Sequence, residues 1–317
     1  MPQPTSTEVH LDAILTDISV AWSQNQDEFV ASKVFPTVNV AKQFDKFYRF
    51  GLEDWMRDDV KMRAPATESA GSGFAISKGT YSCDKWALHK DLSDEDKANA
   101  DMGLQLDMST TEYLTQQMMI RQEIAWASKF LSTTVGWTVG TQTALWSAAG
   151  ATIIQDIQTA INTMLTNTGR RPNKLVVSYA VFSILKNATE IVERYKYTTS
   201  MAMTTSLIAQ VIGVDEILVM GGVQNTAKEG ATKSLKQIGN KSALLVYSPP
   251  TPMMMTPAAG YNFNWTGLTG VGGFGTASSI GRIQMPTLKA ERLEIEAAWD
   301  FQVISTDLGV YWDAAVA

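Results

Sequence analysis

The residues with the most specific chemical pattern form the glycine-rich run GVGGFG at positions 270–275, which matches the G-x-G-x-x-G spacing of dinucleotide-binding loops. Such a loop binds a pyrophosphate only where a buried strand precedes it and a helix begins directly after it. The preceding stretch, YNFNWTGLT, is a poor buried strand, and Gly281 and Pro286 interrupt the helix that should follow. The context therefore favours a flexible glycine-rich loop and leaves a dinucleotide-binding enzyme as a remote alternative.

The other reactive side chains are few and scattered. The two histidines, His10 and His89, lie in an N-terminal arm and beside an extended segment, and neither is a good place for a catalytic base. The single Cys83 excludes an intramolecular disulfide and a cysteine-cluster metal site. The acids of the run 91–96 are typical of a capped helix start, because Asp96 occupies the position where a calcium loop needs glycine. We therefore expect no catalytic, cofactor-binding or metal-binding residues, and a protein that is not an enzyme.

The composition is that of a globular protein with a substantial core. The 317 residues give room for about two domains, and 45% of them are hydrophobic while 18% are charged. A net charge of −6 argues against a dedicated nucleic-acid reader. We expect no signal peptide, no membrane-spanning segment and a reducing compartment, because residues 1–20 carry three acids and the uncharged stretch 130–155 is rich in threonine, serine and glycine.

The elements that must position these residues include a strand and a helix of unusual length. In ERLEIEAAWDFQV the inward set alternates strictly with polar neighbours, which predicts a strand of roughly 40 Å; that set is Leu293, Ile295, Ala297, Trp299, Phe301 and Val303. Ser109 and Glu112 predict a capping box before a helix of roughly 33 Å that ends near Leu131. That helix has two apolar stripes, one with Tyr113, Ile120, Ile124 and Leu131, the other with Met119, Trp126 and Phe130. Its second side is covered either by the rest of its own domain or by a neighbouring subunit.

A charged and aromatic segment predicts a long hairpin over residues 37–92. Five acids and five bases lie from Asp45 to Arg63. The run APATESAGSG, which consists mainly of small residues, separates them from a second extended segment. A two-stranded hairpin alone is marginally stable, so its mixed surface suits contact with another chain. The predicted interface residues are Arg49, Glu53, Asp54, Arg57 and Lys61. A solvated, mobile hairpin is the alternative.

Helices and strands alternate in residues 151–285, which predicts a compact α/β domain. The helix over 151–169 is followed by the strand KLVVS, a helical stretch over 179–196, the helix TSLIAQVIG and the strands EILVM and ALLVYSPP. An amphipathic helix is also predicted for residues 7–22 of the arm.

The order and lengths of these parts resemble the major capsid proteins of tailed bacteriophages, which have the Hong Kong 97-type fold. LDAILTDIS and FVASKVFPTVNV resemble the N-terminal arm of that family, KFYRFGLEDW through DLSDEDKANAD its extended E-loop, and ALLVYSP and ERLEIEAAWDFQVI its closing strands. The resemblance implies an α+β fold with an N-terminal arm (1–36), an E-loop hairpin (37–92), a peripheral domain with a long spine helix and a long strand (93–150), an axial α/β domain (151–285) and closing strands (286–317).

The resemblance also implies function and partners. Copies of the chain would assemble as pentamers and hexamers into an icosahedral shell around double-stranded DNA, which the shell contacts non-specifically. A separate scaffolding protein, a portal and a decoration protein are the expected partners, and the expected location is the virion capsid, assembled in the host cytoplasm. An encapsulin-like nanocompartment shell is the alternative, because encapsulins share this fold.

Overall fold

Two five-stranded sheets and a long helix form the body of the chain, and the computed structural model describes residues 24–100, 106–195, 204–252, 255–267 and 280–317. Within these ranges the helices are α1 (Ala31–Val34), α2 (Leu52–Trp55), α3 (Asp94–Asn99), α4 (Leu106–Phe130), α5 (Ile153–Thr168), α6 (Tyr179–Asn187), α7 (Thr189–Tyr195) and α8 (Thr205–Ile212). The strands are β1 (Thr37–Val40), β2 (Phe44–Phe50), β3 (Ile76–Ser82), β4 (Asp84–Ser93), β5 (Thr138–Val139), β6 (Lys174–Ser178), β7 (Glu216–Met220), β8 (Val223–Asn225), β9 (Leu235–Gln237), β10 (Ala243–Val246), β11 (Gly260–Trp265), β12 (Ile280–Met285), β13 (Ala290–Val303) and β14 (Gly309–Trp312).

The first sheet is built around β13, the predicted long strand. β4 pairs with β13 over ten residues along one edge, and β12 and β11 pair with its first and second halves along the other. β1 then adds to β11 in parallel. The predicted inward residues from Leu293 to Phe301 are buried and Val303 is half-buried, so the predicted inward face of the strand is confirmed. At about 3.3 Å per residue, β13 is roughly 46 Å long.

The long helix α4 covers this sheet, but its start and its buried stripe differ from the prediction. It already includes Leu106, and the Ser109 hydroxyl donates to the Leu106 carbonyl from inside the helix (3.2 Å), so Ser109 is not its cap. The buried stripe contains Leu114 and Met118, which were not predicted, and Trp126 and Phe130 of the second predicted stripe, whereas Met119 is half-buried and Tyr113 is 53% exposed. The difference arises because the sheet covers only one face of α4. The predicted residues Ile120, Ile124 and Leu131 lie half-buried at the margin of the core that this face forms with the sheet.

The second sheet has the strand order β5-β14-β10-β6-β7 and separates two apolar cores. On one side, α5 to α8 bury Ala243 and Leu245 of β10, and on the other Leu244 and Val246 join the core of α4 and β13. Both faces of β10 are therefore covered, which explains its continuous apolar sequence. The predicted elements of this region are confirmed except that the helix over 179–196 breaks at Ala188, which is extended between Asn187 and Thr189, both weak helix formers.

The chain passes from one sheet to the other more than once. The predicted boundary at residue 285 therefore does not separate the strands of the first sheet from those of the second. β11 and β12 lie within the predicted axial segment 151–285 but pair with β13 in the first sheet. β14, in the predicted closing segment, pairs with β10 in the second sheet. The predicted helix at 7–22 and the GVGGFG run lie outside the described residues.

Candidate subunit interface

The hairpin of β2 and β3 contributes no described residue to either of the two main cores. These strands pair antiparallel from Phe44 opposite Ser82 to Phe50 opposite Ile76, and the loop 51–75 connects them, as predicted. In the described part of the chain no third strand joins this pair. Because a two-stranded ribbon has little stability of its own, its base must be held by the body.

An aromatic cluster holds the base of the hairpin. The ring of Tyr81 stacks on Phe263 of β11 at 4.7 Å between ring centroids, and Phe47 lies 5.4 Å from the same ring. Cys83 is buried in this cluster, and burial raises the pKa of its thiol to about 12. A thiol with so high a pKa is unreactive at neutral pH, which fits a packing role.

Hydrogen bonds to the end of β13 complete the attachment. The Arg49 guanidinium donates to the Val303 carbonyl (2.6 Å) and lies over the ring of Phe47, 5.2 Å from its centroid. The Ser82 amide donates to the Asp300 carboxylate (2.9 Å). Arg49, one of the predicted interface residues, therefore contacts its own chain.

The outer end of the hairpin carries an apolar surface that we call the tip patch. Its centre is the aromatic group Phe50, Trp55 and Phe74, whose ring centroids lie 5.9–6.2 Å apart. Trp55 and Phe74 remain 53% and 57% exposed, and the tip patch also takes in the nearby residues of the loop and of β3 that are at least half exposed, namely Met56, Val60, Met62 and Ile76. A concentration of exposed apolar side chains is typical of a protein contact site. The patch could not be predicted from sequence, because its members come from both ends of the loop and from β3. The available signal was that each member is an aromatic or apolar residue among charged ones.

The remaining predicted interface residues lie around this patch. Asp54 accepts from the Ala75 amide (2.8 Å) and forms an ion pair with Arg57 (3.5 Å), so it closes the loop from within. Glu53, Arg57 and Lys61 are exposed. Four of the five residues thus lie in the loop 51–75, two of them as an internal ion pair, whereas Arg49 lies in β2 opposite Ser77 and binds the end of β13. Their contact with another subunit stays a prediction.

An open groove of about 610 Å³ lies between α3, α4 and β12, and three of its charged residues, Lys97, Asp107 and Arg282, form ion pairs. Lys97 forms ion pairs with Glu291 and Asp107, and Arg282 pairs with Asp107 (3.0 Å) and Glu291 (3.6 Å). The hydrogen bond to Glu291 raises the pKa of Lys97 further above neutrality. Groups that are fixed in ion pairs in this way tie together the strands and helices that carry them and do not form a catalytic acid–base pair.

Comparison with known proteins identifies the kind of protein to which this architecture belongs. No family model matches the chain. The chain is 22% identical over 314 residues to the major capsid protein of Pseudomonas phage JBD67, covering 97% of each, and 22% identical over 244 residues to that of Burkholderia phage BcepMu, covering 75% of this chain and 76% of the relative. The chain belongs with the phage major capsid proteins.

Solved structures confirm the fold. A phage-related protein from Bordetella bronchiseptica RB50 superposes with a TM-score of 0.69 at 20% identity, over 93% of this chain and 95% of the other. The capsid of cyanophage P-SCSP1u gives a TM-score of 0.62 at 10% identity, over 98% and 94%. The mixed α+β fold of this capsid protein is therefore that of phage capsids. Its named relatives are structural proteins, and no enzymatic activity is indicated. Within the described ranges, no helix is both long and apolar enough to span a membrane.

Proposed function

We propose that this capsid protein assembles as pentamers and hexamers into an icosahedral shell around the double-stranded DNA of a tailed phage. The observation that carries the proposal is the likeness to a phage major capsid protein over 97% of both chains. The structure adds a physical argument, because large apolar side chains in the loop of the hairpin, among them Trp55 and Phe74, are more than half exposed. Such a surface is covered when identical copies pack side by side.

The proposed arrangement within the shell is that of the Hong Kong 97-type fold. The first sheet and α4 supply the peripheral domain, and the second sheet with α5 to α8 supplies the axial domain near each symmetry axis. Residues 1–36 are the arm, the β2–β3 hairpin within residues 37–92 is the E-loop, and residues 286–317 are the closing strands, within which the chain returns from the first sheet to the second.

We also propose that the hairpin is a subunit interface. The tip patch supplies the apolar centre of the contact, and Glu53, Arg57 and Lys61 supply its polar rim, a division typical of protein interfaces. Arg49 and Asp54 act from inside the chain, because the hydrogen bond of Arg49 ties β2 to the end of β13 and that of Asp54 closes the loop of the hairpin.

The proposed partners follow from the shell. A separate scaffolding protein guides assembly in the host cytoplasm, a portal occupies one vertex, and a decoration protein binds the outside of the virion. The packaged DNA is contacted non-specifically, since a chain of net charge −6 has no basic excess with which to hold it tightly.

Electron microscopy of the purified protein tests the proposal. Expressed alone or with the scaffolding protein of its phage, the chain should form capsomers or closed particles that sediment far ahead of a 34.7 kDa monomer. Particles that copurify with a protein cargo and no scaffold would support the encapsulin alternative. A monomer at high concentration under both conditions would contradict assembly altogether.

A further inference from the structure

Residues 24–35 run between the long helix and the second sheet and are held by side chains from both. Gln24 exchanges two hydrogen bonds with the backbone of Val223 (2.7 and 2.9 Å), and the Gly221 amide donates to the Glu28 carbonyl (3.1 Å). Further along, Val34 and Phe35 are fully buried. Residues 24–35 are therefore attached to the rest of the structure by backbone hydrogen bonds at one end and by buried side chains at the other.

The start of the short helix α1 is bound by a buried acid of α4. The Glu123 side chain is fully buried, and its carboxylate accepts from the amides of Val30 (3.1 Å to each oxygen) and Ala31 (2.9 Å). These are backbone donors at the helix start that no carbonyl of the helix itself can satisfy. A buried carboxylate is costly unless it is hydrogen-bonded, so Glu123 and the segment depend on each other.

The end of α1 is bound by a lysine of the second sheet. The Lys174 ammonium donates to the carbonyls of Lys33 (2.5 Å) and Val34 (3.2 Å), which the helix leaves free at its end. The Ser248 hydroxyl also donates to Val34 (2.7 Å). A carboxyl group from one layer and an ammonium group from the other thus bind the free amides and the free carbonyls at opposite ends of a single helical turn.

We propose that Glu123 and Lys174 are positioning residues that fasten α1 to both layers, and that proton binding at Glu123 sets how tightly the N-terminal segment is held. The inference does not depend on the proposed shell, because every contact lies within one chain. It assigns a role to a buried titratable group that the interface does not use.

The charge environment of Glu123 gives the proton dependence its sign. Burial raises the pKa of Glu123 from 4.5 to about 7, against the amide hydrogen bonds from Ala31 and Val30 and the nearby charge of Lys33, which lower it. Lys33 belongs to α1 itself, so the charge that favours the carboxylate belongs to the segment that detaches. When the segment detaches, Glu123 meets water and its pKa returns towards 4.5. The attached state therefore binds the extra proton, and attachment weakens about tenfold per pH unit between 4.5 and 7, then levels off.

Hydrogen exchange on the full chain tests this inference. The protection factors of peptides covering residues 30–35, corrected for intrinsic exchange, should fall about tenfold per pH unit from pH 5 to 7 and level off above. Glu123→Gln should remove the pH dependence, because the amide does not titrate. Glu112→Gln, an exposed position on the same helix, is the matched control and should keep the wild-type profile.

The strand β10 separates local detachment from unfolding of the whole chain, since its amides should keep constant protection over the same range. An equal fall of protection in β10, a flat wild-type profile, or a persistent pH dependence in Glu123→Gln would each overturn the proton-dependent attachment.

A double-mutant cycle tests whether the two residues act through the same segment. Lys174→Met should lower the protection of residues 30–35 by about tenfold, because the Lys33 carbonyl loses its donor. In Glu123→Ala/Lys174→Met, where alanine removes the acceptor that a neutral glutamine would still offer to the Val30 and Ala31 amides, the combined loss should be smaller than the product of the single losses, because one detached end already loosens the other. Lys186→Met, an exposed lysine at the end of α6, is the control. If the losses of protection in the two single variants simply multiply in the double variant, Glu123 and Lys174 do not act through the same segment.

Discussion

At the residue scale, Trp299 and Asp300 are neighbours on β13 that face opposite sides of the first sheet. Trp299 is 3% exposed and stacks on Trp86 at 5.8 Å, whereas Asp300 is half-buried and accepts from Ser82. Trp299→Asp should abolish soluble protein, because it costs several kcal/mol to remove the ring and bury an unpaired charge. Asp300→Asn should fold, since its amide oxygen can still accept from Ser82. Soluble yield and thermal unfolding compare the two variants, and equal damage would show that this register is wrong.

The same scale shows which residues can be placed from sequence. Period-two alternation predicted the inward face of β13, because a side chain on a strand has only two sides to choose from. Glu123 could not be predicted, since an acid on a helix normally faces water and its partners lie more than ninety positions away along the chain. The exposure of Tyr113 and the burial of Leu114 likewise depend on which face the sheet covers.

At the scale of elements, the hairpin depends on one ring of β11 for its attachment. Phe263 contacts both Tyr81 of β3 and Phe47 of β2 and is itself 5% exposed. Phe263→Ala should destabilise the chain by about 3–5 kcal/mol and remove hydrogen-exchange protection from β2 and β3 first. Phe263→Leu, which keeps most of the volume, is the control. Loss of protection in α4 before the hairpin would contradict this order.

Elements with a strong local pattern were predictable, and their pairings were not. The apolar stripe of α5 ends at Gly169, whose φ of 66° suits the left-handed cap of a helix, so both the helix and its end follow from sequence. The predicted start of α4 was wrong, because the S-x-x-E pattern at Ser109 also occurs inside helices. The crossing of β11 and β12 into the first sheet and β14 into the second is set by long-range pairing, which no local period contains.

At the scale of the whole molecule, the layers are joined by the shared core and by α1, while the hairpin stays outside both cores. The core of α4 and β13 includes Leu244 and Tyr311 of the second sheet, so the sheets cannot separate without exposing it. Among the described residues, no member of the tip patch belongs to either core. We therefore expect the body to supply most of the stability and the hairpin to supply the proposed interface.

This division leads to a test of assembly without loss of folding. Arg57→Glu/Lys61→Glu should change the unfolding free energy by less than about 1 kcal/mol, because exposed charges contribute little to folding. The variant should nevertheless fail to form particles, since each copy repeats the altered contact. Assembly of the wild type should also depend on ionic strength, because salt screens such charges over about 8–10 Å. Arg49 is left unchanged, because it binds Val303 of its own chain.

Circular dichroism and sedimentation velocity measure folding and assembly for each variant. Lys228→Glu/Lys236→Glu reverses two exposed lysines around the β8–β9 turn and changes the net charge by the same amount, so it should assemble. Failure of both double variants would attribute the loss to overall charge. Unfolding of Arg57→Glu/Lys61→Glu would mean that the tip packs within its own chain, and normal particles would mean that these charges face only solvent. Each of these three outcomes contradicts the interface, whereas a folded variant that stays unassembled beside an assembling control supports it.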